Sequence, residues 1–188
     1  MKKIKILISG INGYLSRNLA NELVRNEQFE IYGFGKNTHK HKKLKEEISI
    51  VHLNELESFV KMNEIDIIIH AATNYGRSNC SVESILETNL MLAIRLYSIA
   101  RASKVRSFIN IDTILPRDYS EYALSKKQFV EWAEKLHLSN KYFLEEESQK
   151  EFQFINVKFE HFYGPGAPSH NFISWVTEQI KENVQQIK

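Results

Sequence analysis

A glycine turn placed directly after the first apolar run constrains this chain most. Ile4-Lys5-Ile6-Leu7-Ile8 is a short run dominated by β-branched residues, and Gly10-Ile11-Asn12-Gly13-Tyr14-Leu15-Ser16 follows it and opens an amphipathic stretch. The first glycine permits a tight turn. The second lets the backbone approach a pyrophosphate, and the free amides at the helix start then face the anion. The third position of this pattern, where helix meets strand, holds Ser16, which is small enough to serve. The turn predicts a dinucleotide site with Gly10, Asn12, Gly13, Tyr14 and Leu15 along the cofactor. An ordinary strand–turn–helix is the alternative.

The rest of the chain repeats this alternation. Further strands are predicted at 30–34, 48–53, 66–70, 105–111 and 152–159, and helices at 14–26, 54–63, 82–103, 119–138 and 171–183. The run Asp66-Ile67-Ile68-Ile69-His70 has almost no polar alternation, as expected of a strand covered on both faces. Strands alternating with helices imply a doubly wound parallel α/β sheet of Rossmann type. Composition narrows the function. Charge is balanced at +2, which speaks against a dedicated nucleic-acid or membrane-surface binder. No apolar run reaches the roughly 20 residues that span a bilayer. One cysteine, Cys80, rules out an internal disulfide and a cysteine-built zinc site, and suits a reducing, cytoplasmic setting. No metal site is expected, because His39 and His41 have no carboxylate cluster beside them.

Two further groups carry chemistry. Gly33-Phe34-Gly35-Lys36-Asn37 ends the second strand without an acidic residue. An acid there would favour NAD, whereas Lys36 fits a 2′-phosphate and favours NADP, with NAD as the alternative and a solvated basic loop as the plain reading. Tyr122 and Lys126 stand four apart on a predicted helix, hence on one face. A neighbouring ammonium is expected to lower the phenol's pKa, so the pair can pass a proton to or from a carbonyl oxygen. Tyr32 and Lys36 share the spacing, but only Tyr122 follows a strand ending in Asp112-Thr113, where Thr113 adds a hydroxyl.

With these pieces in order, the chain resembles the extended short-chain dehydrogenase/reductases, the NAD-dependent epimerase/dehydratase family of nucleotide-sugar enzymes. The matching stretches are Gly10-x-x-Gly13-x-x-Ser16, Asp66 through Thr73, Asn89, Phe108 through Thr113, Tyr122-x-x-x-Lys126 and Tyr163-Gly164-Pro165-Gly166. His70 through Gly76, Asn110 through Thr113 and Phe159 through Gly166 are similar to the branch of CDP-abequose and CDP-paratose synthases. Those enzymes reduce the 4-keto group of a CDP-3,6-dideoxyhexose in O-antigen synthesis.

The resemblance implies a nicotinamide cofactor and a nucleotide-sugar substrate. It casts Tyr122 as proton donor and Thr113 as holder of the same oxygen. Lys126 would bind the nicotinamide ribose and tune Tyr122. Ala71, Ala72 and Thr73 would lie along the cofactor, and Tyr75, His161 and Asn171 would face the substrate; a structural imidazole is the alternative for His161. It divides the chain into a cofactor domain at 1–160 and, at 161–188, the beginning of a substrate-binding region that is otherwise largely absent. It also implies a homodimer through the two long helices. A 4-epimerase or dehydratase, and a non-catalytic dinucleotide-binding module or truncated remnant, stay open. Thr113 and Tyr122 are only nine residues apart, a shorter loop than relatives have.

Overall fold

The computed structural model describes residues 2–36, 42–77, 79–139, 152–168 and 172–182. Six strands form one sheet: β1 (Ile4–Ser9), β2 (Phe29–Phe34), β3 (Ser49–Ile50), β4 (Ile67–His70), β5 (Ser107–Thr113) and β6 (Gln153–Phe159). Their order is β3-β2-β1-β4-β5-β6 and every pairing is parallel, which is the Rossmann arrangement. The helices are α1 (Tyr14–Leu23), α2 (Leu56–Met62), α3 (Val82–Leu86), α4 (Leu92–Arg101), α5 (Glu121–Leu138) and α6 (Phe172–Lys181).

The sheet is apolar on both faces, which explains the unbroken runs. Alternate residues of one strand enter opposite cores: Leu7 joins Ile68, Phe108, Leu96, Tyr97 and Phe129, while Ile6 and Ile8 join Ile31, Ile69, Ile11 and Ala20. Each fully buried Leu, Ile or Phe contributes about 1.5–3 kcal/mol. Tyr97 centres an aromatic cluster, with Phe108, Phe152 and Phe154 rings 5.4–5.6 Å away and nearly perpendicular.

Several element ends differ from expectation. β3 is two residues long, Ser49–Ile50, with Ile48 and Val51 on either side of it buried in the two cores. α1 stops at Leu23, where Asn26 accepts the Gln28 amide on its side chain and turns the chain into β2. α5 starts at Glu121, since Ser120 caps it by accepting the Ala123 amide at 3.2 Å. β5 runs to Thr113, paired with Phe159, which carries Thr113 to the C-terminal rim. The long helix at 82–103 contains a π-helical turn, Glu87–Met91, between α3 and α4. No described helix is long and apolar enough to cross a membrane.

Candidate active site

The strand order reverses between β1 and β4, so their C-terminal ends bound a crevice, the usual ligand position in such sheets. The turn after β1 fits against the chain leaving β4 with no spare room. Gly10 has φ +67°, and a Cβ there would stand 2.7 Å from the Ala72 Cα. Gly13 caps α1 without a side-chain hydrogen bond, and the first turn of α1 holds no acidic residue. The helix start therefore offers bare amides and the positive end of its dipole. Ser16 is buried and its hydroxyl donates to the Ser9 carbonyl at 3.3 Å, so the residue in the third glycine's place ties helix to strand. Ile11 is buried over Gly33, where any Cβ would strike it at 2.2 Å.

The other cofactor candidates surround this turn. Ala71, Ala72 and Thr73 leave β4 beside it, held by Ser9 Oγ, which accepts the Ala71 and Ala72 amides at 2.9 and 3.0 Å. Tyr14 stacks on Phe162 at 6.2 Å, and Asn12 accepts the Arg17 guanidinium on its carbonyl at 3.3 Å. Leu15 is partly buried on α1, and Lys36 is exposed just past β2. Residues 37–41, with His39 and His41, lie outside the described residues, as does Asn171. His161 is exposed just after β6. Among the described residues no acidic, His or Cys cluster is arranged to hold a metal.

Thr113 ends β5, and Tyr122 and Lys126 lie one turn apart near the start of α5, which follows it. The short connection between β5 and α5 brings Thr113 close enough to act on the Tyr122 phenol, while the Thr113 hydroxyl accepts the Leu115 amide at 3.2 Å. Tyr75 covers this phenol, its ring 5.0 Å from that of Tyr122, and Arg77 lies 5.1 Å over Tyr75. Lys126 is fully buried and its ammonium has no hydrogen-bond partner among the described residues. The expected lowering of the Tyr122 pKa is not what the structure has. Burial pushes this phenol up to about 12, with Tyr75 adding to the rise and the Thr113 bond opposing it. Burial likewise draws Lys126 down to about 8. Desolvation is the leading cause of both shifts.

Sequence reasoning missed the supports. Asp112 is buried and accepts the Thr113 amide at 2.7 Å, the Lys127 ammonium at 2.9 Å and Asn156 Nδ2 at 3.1 Å. Lys127 also donates to the Thr113 carbonyl. Asn89, in the π turn, accepts the Asn74 amide at 2.8 Å and donates to the Asn74 carbonyl and to Ser125. A π turn at such a position turns one side chain inward. One signal was readable: Asn110 and Asn156 each stand between two apolar β-branched neighbours in their strands.

A family model described as the NAD dependent epimerase/dehydratase family matches residues 6–188. Two CDP-abequose synthases are similar: that of Salmonella muenchen is 25% identical over 95% of this chain and 60% of its own length. That of Salmonella typhimurium (strain LT2) is 22% identical over 97% and 61%. The chain thus spans about 60% of the curated relatives it matches. Among solved structures, the UDP-glucuronic acid 4-epimerase of Bacillus cereus in complex with NAD superposes with a TM-score of 0.74 at 18% identity, covering 96% of this chain and 63% of that one. The Bordetella bronchiseptica enzyme WbmG in complex with NAD and UDP gives 0.77 at 16%, covering 97% and 61%. At such identities these likenesses establish the fold.

Proposed function

The chain belongs to the NAD-dependent epimerase/dehydratase family, and we propose that it serves as the cofactor-binding and catalytic part of a nucleotide-sugar 4-ketoreductase acting on a CDP-deoxyhexose for surface polysaccharide. Tyr122 one turn before buried Lys126 on α5, with Thr113 near enough to act on the phenol, carries this reading. The named activity of the two Salmonella relatives supports the CDP-sugar. The residues fit a dinucleotide: a side-chain-free backbone at Gly10 and Gly13, bare amides at the start of α1, and a buried ammonium with no hydrogen-bond partner among the described residues. Asn12, Tyr14, Leu15, Ala71, Ala72, Thr73 and Lys126 would hold it, and Lys36 would select the 2′-phosphate of NADP over NAD. The cofactor, when bound, supplies the hydride.

The protein's own part is the proton. Tyr122 with a pKa of about 12 holds its proton throughout the physiological range. It is thus set to donate from Oη to a carbonyl oxygen as that oxygen gains negative charge, while the Thr113 hydroxyl steadies the same atom. Tyr75, beside Tyr122, and His161 would face the sugar. Exposed Met91 between α3 and α4, and exposed Trp132 and Leu138 on α5, give the long helices apolar surface for a homodimer.

The test is NADPH consumption with a CDP-4-keto-3,6-dideoxyhexose. Tyr122→Phe should lower turnover by about 10²–10⁴-fold while cofactor binding persists. Unchanged turnover would refute the assignment, and no binding of either NADPH or NADH would leave a remnant. Lys36→Asp should weaken NADPH more than NADH; equal weakening would return Lys36 to the solvated loop.

A further inference from the structure

Two hydrogen-bond chains enter the space between β4, β5 and α5 from opposite sides, and each has a forced polarity. On the β5 side the Asp112 carboxylate can only accept, so Asn156 gives it Nδ2 at 3.1 Å and turns Oδ1 toward Asn110. Asn110 must then donate Nδ2, at 2.8 Å. Its own Oδ1 is left buried with no partner among the described residues. On the β4 side Ser9 Oγ accepts two amides, from Ala71 and Ala72. Its proton therefore goes to His70 Nδ1, 2.9 Å away. His70 is thus the Nε2–H tautomer, and that donor too is buried without a described partner.

These orphans are neighbours. His70 and Asn110 are register partners on adjacent parallel strands, so both leave the same sheet face. That face meets α5, where Phe129 packs edge-on against His70 at 5.9 Å and Lys126 lies one turn earlier. Lys126 acts electrostatically on His70, and its ammonium is likewise buried with no hydrogen-bond partner among the described residues. His70, Asn110 and Lys126 are each fully buried. A buried donor, a buried acceptor and a buried ammonium carried on neighbouring elements are the setting in which proteins hold internal water.

We propose that His70, Asn110 and Lys126 bind a structural water behind the catalytic pair. The His70 Nε2–H and the Lys126 ammonium donate to its oxygen, and one of its protons goes to Asn110 Oδ1. His70 and Asn110 are then positioning residues: they touch neither cofactor nor substrate, and they fix the site of the Lys126 charge through the water. The functional meaning rests on the reading of Lys126 above, whereas the water site concerns the free chain. The titratable groups around Lys126 are His70 on β4, Asp112 on β5, Tyr122 and Lys127 on α5, and Lys158, the register partner of Asp112 on β6. Asp112 supports the ammonium and Lys127 opposes it.

Three measurements on the free 188-residue chain test this. Nitrogen NMR of His70 should show a neutral Nε2–H ring; an Nδ1–H ring overturns the proposal. A crystal structure should place an ordered water within hydrogen-bond distance of all three atoms; a dry site, or direct contact between Asn110 and Lys126, overturns it. Asn110→Leu keeps the volume and removes the acceptor. It should lower the Lys126 titration midpoint, followed by lysine NMR, by about one pH unit or more. An unmoved midpoint in the folded variant overturns the proposal, and the wild-type measurements decide it if the variant does not fold. A shifted midpoint together with an active Tyr122→Phe enzyme would sink the catalytic reading and leave the water site standing.

Discussion

The two ends of the one sheet use the same residue types for opposite purposes. At the N-terminal end Lys2 and Lys104 share Glu64 at 2.8 and 3.1 Å, and Arg106 holds Asp66 at 2.9 Å. Lys2, Glu64, Lys104 and Arg106 are largely exposed there, and water screens them. At the C-terminal end Asp112 is buried against Lys127, and Lys126, His70 and Asn110 are buried with polar atoms that meet no partner among the described residues. The first end keeps its groups charged and paired: Glu64 is held down at about 2 by its two lysines. The second shifts the ionisation of its groups, with Tyr122 up to about 12, Lys126 down to about 8 and His70 well below its usual range. Desolvation, more than residue identity, turns a side chain into an acid or a binding group.

The comparison can be broken at several points. Asp112→Ala leaves Lys127, Asn156 and the Thr113 amide without their acceptor, and should lower stability by about 3 kcal/mol in urea unfolding. A loss below about 1 kcal/mol would mean that the buried pair behaves like a surface one. Gly10→Ala forces a left-handed φ on alanine and drives its Cβ into the Ala72 backbone, for about 2 kcal/mol or more by the same measurement; a neutral result would show that the turn can move.

Acid sharpens the contrast. His70 stays neutral when folded and takes a proton near pH 6.5 when unfolded. The unfolded state therefore binds more protons below that pH, and stability should fall by about 1 kcal/mol between pH 7 and about pH 5.5. A flat profile there would mean that His70 accepts its proton in place. The smallest effect belongs to the exposed end. The depressed Glu64 pKa contributes stability above its ordinary value, lost as pH falls toward about 2. Glu64→Gln at neutral pH should move the melting temperature by about 2 °C or less, and added salt should erase the difference. A large, salt-resistant shift would erase the distinction between the two ends.

Much of this was legible in residue order. Apolar runs of β-branched residues with no polar alternation announce strands covered on both faces, and the glycine turn can follow only a strand and open a helix. The parallel sheet and the placing of Tyr122 and Lys126 on one helix follow from such local rules, because backbone sterics and hydrophobic period act over a few residues. What only the tertiary structure decided is non-local. It set the direction of the Tyr122 and Lys126 shifts, because burial depends on what α5 packs against. It joined Asn110 to Asn156 across 46 positions and Ser9 to His70 across 61. It also turned Asn89 inward through the π turn. Hydrogen-bond partners and desolvation are properties of distance in space, and a linear sequence carries them only after the chain has folded.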